Sequence, residues 1–200
     1  MKKVGVLLGS FDPIHIGHMS LVTTVLNSGL VEKVDLVPSY WNPWKKKQPI
    51  PFNSRYQMCC LAVNDIPNIE VCKVEKILHD ELGKDQINSY ITLNRVKEWH
   101  KNKGEQIYII VSSETFNEIK LWEEGDKIIK ENDFIIMQRK DIDLDWRQAA
   151  ATKSHICISD FVRTDISSTI VRKLLKENKI AIPWIPKEIS QYIDDNNLYK

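Results

Sequence analysis

The chain has 200 residues, of which 42% are hydrophobic and 28% charged, a composition typical of a globular protein with a full-sized core. Its formal net charge of +1 argues against the strongly basic surface of a nucleic-acid-binding protein. No apolar run approaches the roughly 20 residues that cross a bilayer, and the apolar start is too short for a signal peptide. We therefore expect a cytoplasmic protein without a nucleic acid or a membrane as partner, and a homo-oligomer stays open.

The cysteines Cys59, Cys60, Cys72 and Cys157 include no C-x-x-C pair and no zinc-type spacing with histidine. We expect reduced thiols and no metal site built from protein side chains.

The first predicted element is a buried strand from Val4 to Leu8 that ends at Gly9. A loop with Pro13 and Gly17 follows, and an apolar pattern then predicts a helix over 19–26. In an open α/β sheet, ligands bind beyond the carboxyl ends of the strands, so this loop is a candidate binding site.

The chemistry of this loop suits phosphate. Gly9 lets an anion approach the backbone, and a helix N-terminus offers unpaired N–H groups. His15 and His18, three residues apart, share a face of the first helical turn and could donate to phosphate oxygens. The alternative is that both histidines are ordinary polar residues at a helix start.

The rest of the chain alternates predicted strands and helices. The strands are Val34 to Pro38, Ile69 to Val74, Gln106 to Val111, Phe134 to Met137 and Ile156 to Ile158. The helices are Asn53 to Val63 (capped by Asn53 or Ser54), Asn88 to His100, one capped by Asp165 or Ser167 that runs through Leu175, and Pro186 to Tyr199. Segments 76–87 and 141–154 give no clear signal. This order predicts an α/β fold with a parallel sheet.

The loop from Ser39 to Phe52 follows the second strand and carries Trp41, Trp44 and three lysines that start at Lys45. It overhangs the same sheet edge as the histidines. Basic and aromatic groups together suit a phosphate and a flat ring, whereas a solvated surface loop is the alternative.

The next helix begins near Arg55, which either is a surface charge or positions this loop. The second motif, D-I-S-S-T-I-V-R, spans Asp165 to Arg172. Ser168 and Arg172 are four residues apart and share a helix face, and the guanidinium can fork onto phosphate. A plain helix cap explains the serines equally well.

These motifs resemble those of bacterial nicotinate-nucleotide adenylyltransferases, in the nucleotidyltransferase superfamily with the H-x-G-H signature. The loop G-S-F-D-P-I-H-I-G-H is similar to the family's G-[T/S]-F-D-P-[I/V]-H-x-G-H, and I-S-S-T-I-V-R to its second signature. The resemblance extends over essentially the whole chain. It implies one Rossmann-like domain over 1–200, with an open parallel sheet, helices on both faces and a helical C-terminal part from about 165.

The resemblance also implies an ATP site. The residues expected there are Gly9, Ser10, Phe11, His15, His18, Ser112, Glu114, Ile166, Ser167, Ser168 and Arg172. Ser112 and Glu114 stand where the family has Gly-x-Asp, whose Asp binds a ribose hydroxyl. Glu114 is alternatively a favourable acid in the first turn of a helix.

A mononucleotide site is implied in the same way. Its expected residues are Trp44, Lys45, Ser89, Tyr90, Trp122 and Arg139. Lys45 matches a family lysine that contacts phosphate, and Trp44 stands where many members have His. Ser89 falls on the family's binding Thr, which shifts Tyr90. Trp122 matches a Trp near the pyridine ring, although a core Trp is the alternative.

The expected reaction moves AMP from ATP to nicotinate mononucleotide and yields deamido-NAD and pyrophosphate. His15, His18, Lys45 and Arg172 would be the catalytic residues, acting by positioning and charge neutralisation, with Mg²⁺ brought on the ATP. The alternatives are nicotinamide mononucleotide as acceptor, another superfamily activity such as phosphopantetheine adenylyltransferase or a cytidylyltransferase, and a non-catalytic nucleotide-binding module.

Overall fold

A parallel sheet organises the computed structural model, which describes residues 1–41, 50–139, 141–162 and 164–200. Its strands are β1 (Lys2–Gly9), β2 (Lys33–Pro38), β3 (Ile69–Val71), β4 (Glu105–Ser112), β5 (Asp133–Met137) and β6 (Ser154–Ile158). They pair in parallel in the order β3-β2-β1-β4-β5-β6. The predicted Rossmann-like α/β sheet is thereby confirmed. The strand order reverses between β1 and β4, where such sheets open a crevice for ligands.

Helices cover both faces of the sheet. They are α1 (Ile16–Asn27), α2 (Phe52–Val63), α3 (Val74–Leu82), α4 (Ser89–Asn102), α5 (Ser113–Glu118), α6 (Gly125–Glu131), α7 (Trp146–Ala150), α8 (Ser168–Lys176) and α9 (Lys187–Asp195). One core cluster joins Leu7 of β1 to residues of α1, α2, α8 and α9. On the other face, Val4 and Val6 pack with residues of α3 and α4. Because both faces are covered, β1 and β4 contain continuous buried runs, over 4–7 and 107–111.

Several predicted boundaries are wrong. The predicted strand over 69–74 ends at Val71, because α3 begins at Val74. Pro51 holds the N-cap position of α2, in place of Asn53 or Ser54. The segments without a clear signal contain most of α3 and all of α7.

Within the described ranges, no helix combines the length and apolarity that a bilayer crossing demands. The cysteines, all of which lie in those ranges, form no disulfide.

Candidate active site

The loop between β1 and α1 turns at Phe11. A Cβ on Gly9 would lie 2.9 Å from Cζ of Phe11, so glycine leaves room for that ring. Phe11 is 1% exposed and has φ of 44°, a left-handed backbone that is uncommon for a residue with a side chain. The buried ring therefore anchors a strained turn at the carboxyl end of β1.

His15 and His18 stand together at the start of α1, with ring centroids 3.8 Å apart. Nδ1 of His15 accepts the N–H of Gly17 at 3.1 Å, and Nδ1 of His18 accepts the N–H of His15 at 3.3 Å. In the neutral form of each ring, the proton then sits on Nε2, which is the donor. Burial lowers the pKa of His15 from about 6.5 to about 4. His15 is therefore an uncharged donor at neutral pH.

Gly17 allows two side chains to approach the start of α1. A Cβ at this position would lie 3.0 Å from Nδ1 of His15 and 3.0 Å from Oγ1 of Thr164. That Oγ1 is buried and has no hydrogen-bond partner in the part of the chain that the structure describes. Thr164 was not predicted as a site residue, and no sequence signal places it beside residues almost 150 positions earlier.

The second predicted motif lies on the histidine loop. Ser167 caps α8 through its hydroxyl. Ser168 Oγ donates to the carbonyl of Pro13 at 3.0 Å, and Arg172 Nη1 donates to the carbonyl of Asp12 at 2.7 Å. Segments separated by 155 to 160 positions thus meet at one edge of the sheet.

The side chain of Asp12 supports this junction. Its carboxylate accepts the hydroxyl of Tyr199 at 2.8 Å and lies 3.8 Å from Nη1 of Arg172. Asp12 is 5% exposed, so its charge is directed into the protein.

A cavity of about 790 Å³ lies beside these loops, at the carboxyl ends of β1 and β4. The residues that line it include most of the expected ATP set, namely Gly9, Ser10, His15, His18, Ser112, Glu114, Ile166, Ser167 and Ser168. They also include Ser89, Trp122 and Arg139 of the expected mononucleotide set. The two sets of predicted residues therefore share one cavity.

Other predicted residues lie outside the cavity lining in the described part of the chain. The Phe11 ring is buried behind the loop, and Arg172 donates a hydrogen bond to the carbonyl of Asp12. Tyr90 donates its hydroxyl to Glu131 at 3.1 Å. Trp44 and Lys45 lie outside the described residues.

Ser112 and Glu114, which differ from the family's Gly-x-Asp, lie in the cavity wall at the end of β4. Ser112 caps α5, because its Oγ accepts the N–H of Thr115 at 3.2 Å. Glu114 lies in the first turn of α5, and its carboxylate is 3.4 Å from Nη1 of Arg139. Ser113 Oγ accepts the N–H of Arg139 at 3.1 Å. Glu114 is therefore both a first-turn acid and a cavity residue, so the two interpretations do not exclude each other.

Two buried charged residues support the cavity. Arg55 is 0% exposed and donates to the carbonyl of Ser10 at 2.7 Å, so its interpretation as a surface charge is wrong. Glu75 lines the cavity and accepts the N–H of Tyr40 at 2.6 Å and the hydroxyl of Thr92 at 3.0 Å. Burial raises the pKa of Glu75 to about 7. Glu75 was not predicted, because its position depends on contacts of α3 with Tyr40 and Thr92, which are distant along the chain.

The fold and the two joined motifs define a class of protein. The cytidylyltransferase-like family model matches residues 6–174, a range that contains both motifs. The chain belongs to the cytidylyltransferase-like family and is a nucleotidyltransferase.

Relatives narrow the class to nicotinate-nucleotide adenylyltransferases. The probable enzyme of this name from Caldicellulosiruptor saccharolyticus is 30% identical over 99% of both chains. That from Coprothermobacter proteolyticus is 27% identical over 99% of this chain and 95% of the relative. The nicotinic acid mononucleotide adenylyltransferase of Plasmodium falciparum, complexed with NaAD, has the same fold, with a TM-score of 0.82 and 24% identity over 100% of this chain and 98% of that chain. The family resemblance of the sequence motifs is confirmed.

Proposed function

We propose that this chain transfers AMP from ATP to nicotinate mononucleotide and releases deamido-NAD and pyrophosphate. The observation that carries the proposal is the pair of hydrogen bonds from Ser168 and Arg172 to the carbonyls of Pro13 and Asp12. These bonds unite two phosphate-binding motifs beside one cavity. The names of the relatives support nicotinate mononucleotide as the acceptor.

The proposed reaction is an in-line displacement. A 5′-phosphate oxygen of the mononucleotide attacks the α-phosphorus of ATP, and the bond from this phosphorus to the bridging oxygen of the β-phosphate breaks. Pyrophosphate leaves with that oxygen. The attacking phosphate is already an anion, so the reaction needs no strong general base. The protein contributes positioning and charge neutralisation.

The histidine loop would hold the ATP phosphates. Nε2 of His15 and of His18 would donate to phosphate oxygens, next to the backbone around Ser10. Because the pKa of His15 is about 4, this donor does not titrate near neutral pH. Arg172 and Lys45 would supply the permanent positive charge that developing pyrophosphate requires.

The other predicted residues would serve the two nucleosides. Ser112 and Glu114 would contact the ribose of ATP at the start of α5, as the family's Gly-x-Asp does. The mononucleotide would lie against the part of the cavity wall that contains Ser89, Trp122 and Arg139. For Trp44 and Tyr90, contact with the mononucleotide stays a prediction.

Magnesium would be brought on the ATP phosphates. The described residues contain no group of three His, Cys, Asp or Glu side chains that could hold a metal ion. The carboxylate of Asp12 is engaged by Tyr199 and Arg172. This donor set fits an ion whose ligands are phosphate oxygens and water, and such an ion would neutralise phosphate charge.

The test is pyrophosphate release from ATP and Mg²⁺ with nicotinate mononucleotide, nicotinamide mononucleotide or phosphopantetheine as acceptor. We expect the largest kcat/KM with the nicotinate form, and a product with the mass of deamido-NAD. A preference for the amide or for phosphopantetheine would replace the proposed acceptor. ATP binding without turnover of any acceptor would favour the non-catalytic module.

A further inference from the structure

Arg55 is a fully buried cation behind the loop between β1 and α1. It projects from the first turn of α2, is 0% exposed and packs with its Cζ 5.7 Å from the centroid of the Phe52 ring. The mechanism described above does not use this residue.

The guanidinium joins the loop after β1 to two positions in the loop between β2 and α2. Nη1 donates to the carbonyl of Ser10 at 2.7 Å, Nη2 to the carbonyl of Tyr40 at 2.7 Å and Nε to the carbonyl of Ile50 at 2.9 Å. These carbonyls belong to the loop after β1, to the loop after β2 and to the segment before α2. One side chain thus ties the backbone after β1 to the backbone after β2.

In the described residues, the hydrogen bonds of the guanidinium are with carbonyl oxygens and none is with a carboxylate. Burial lowers the pKa of Arg55, because removal of the charge from water is costly. The negative charges of Asp12 and Glu75 oppose this shift, and the positive charge persists beneath the loop after β1.

We propose that Arg55 is a positioning residue that prepares the loop after β1 for polyphosphate, by holding the Ser10 carbonyl and polarising the peptide that links Ser10 to Phe11. The carbonyl oxygen and the N–H of Phe11 belong to the same peptide group. A charged donor on the oxygen draws electron density from the nitrogen, which makes the N–H a stronger donor. The proposal rests on the proposed function only in that ATP supplies the polyphosphate.

The experiment measures affinity for ATP and for inorganic triphosphate by calorimetry in Arg55→Met and Arg55→Lys. We expect the affinities of Arg55→Met for ATP and for triphosphate to fall about tenfold or more. This is the scale of one hydrogen bond to a charged group, and the substitution removes the charged donor from the Ser10 carbonyl. We expect Arg55→Lys to lose less, since the charge stays but the three-way geometry is lost. Affinity for nicotinate mononucleotide should change less than affinity for ATP.

Two controls separate this role from a purely structural one. Arg95→Met removes a partly exposed arginine that pairs with Glu81 at 2.7 Å, and should leave triphosphate affinity unchanged. Thr92→Val weakens the hold on Glu75, and through it on Tyr40, without a change at Ser10. We expect Thr92→Val to keep triphosphate affinity within about twofold of the unsubstituted protein, as distant contacts usually act independently.

A further measurement needs no substitution. In the unsubstituted protein, the amide resonance of Phe11 should shift on addition of inorganic triphosphate. An unmoved Phe11 amide, or an Arg55→Met protein that melts earlier but binds triphosphate normally, would overturn the proposal. Loss of triphosphate and mononucleotide affinity in equal measure would also overturn it, because it indicates general distortion.

The outcomes for Arg55 and for the proposed reaction are distinct. Weak triphosphate binding by Arg55→Met would support the positioning role even if the protein does not use nicotinate mononucleotide. Normal triphosphate binding by this variant would remove the positioning role and leave deamido-NAD formation by the unsubstituted protein unaffected.

Discussion

The two edges of the sheet treat buried ionisable groups in opposite ways. Near the amino ends of the strands, Nε2 of His100 lies 3.0 Å from Asp35 and Nδ1 lies 2.7 Å from Glu105. Beyond the carboxyl ends, the hydrogen-bond partners of the buried His15 and Arg55 are backbone groups. His15 accepts an N–H, and Arg55 donates to carbonyls. The amino edge therefore pairs its buried histidine with carboxylates, whereas the carboxyl edge holds His15 and Arg55 on backbone groups beside the cavity.

This difference separates stability from binding. A histidine between two carboxylates has little left to offer a ligand. Its removal takes away the partner that Asp35 and Glu105 share, although Lys33 stays 3.3 Å from Asp35. A cation such as Arg55, whose hydrogen bonds are to carbonyl oxygens, can polarise the peptide groups that it contacts and make their N–H groups stronger donors. Substitutions at the amino edge should thus change the free energy of unfolding, and substitutions at the carboxyl edge should change catalysis.

The largest expected effect is at the amino edge. His100→Leu should lower the free energy of unfolding by about 3–5 kcal/mol, because it leaves Asp35 and Glu105 without their shared partner. Urea denaturation measures the change. The control is Lys101→Leu, an exposed neighbour on α4, which should cost less than about 0.5 kcal/mol. Equal stabilities of the two variants would contradict the contrast between the edges.

His18→Ala should lower kcat by about 100-fold to 1,000-fold, the usual effect of removing one donor to a charged transition state. The free energy of unfolding should fall by only about 1 kcal/mol, since His18 also accepts the N–H of His15. Pyrophosphate release and a urea titration check the two effects. His155→Ala, which removes a histidine paired with Thr152, should retain kcat. Near-full turnover by His18→Ala would refute the catalytic role.

Arg172→Lys should lower kcat/KM for ATP by about tenfold to 100-fold, because an ammonium cannot both hold the carbonyl of Asp12 and fork onto phosphate. Steady-state kinetics at varied ATP measure the effect. Arg147→Lys, an exposed exchange on α7, serves as the matched control. If both variants have the same kcat/KM, Arg172 does not act on the nucleotide.

The last expected effect is the pH dependence of stability. Burial lowers the pKa of His100, but its hydrogen bonds to Asp35 and Glu105 outweigh this and leave the pKa above 6.5. Its stabilisation is complete below pH 6.5 and is lost as pH rises through the folded-state pKa. The pH dependence of stability that His15 causes has the opposite sign. Its pKa falls to about 4, so its stabilisation is lost as pH decreases from 6.5 towards 4.

Urea unfolding between pH 4 and pH 9 tests this sign difference. His100→Leu should remove the decline above pH 6.5 and keep the decline below it. A variant that retains the upper decline would show that other groups cause it.

The parts that could be predicted from sequence depend on local chemistry. Val4 to Leu8 is apolar because a buried parallel strand meets helices on both faces, so the run itself predicts β1. The hydroxyl of Ser167 accepts the N–H of Ile170 in the first turn of α8, and such a helix cap can be recognised in the sequence. The histidine loop was recognisable for the same reason, because Gly9, His15 and His18 act through near neighbours.

The sequence by itself determined the α/β class, the two motifs that we propose to bind phosphate and the family, because strand patterns, glycine turns and helix caps depend on residues a few positions apart. Only the tertiary structure decided that Arg55 lies under Ser10, that Thr164 faces Gly17 and that Arg172 holds Asp12. These contacts join segments that are distant along the chain. The order of the strands brings them together, because parallel strands carry their carboxyl ends, and the loops that follow, to one edge of the sheet.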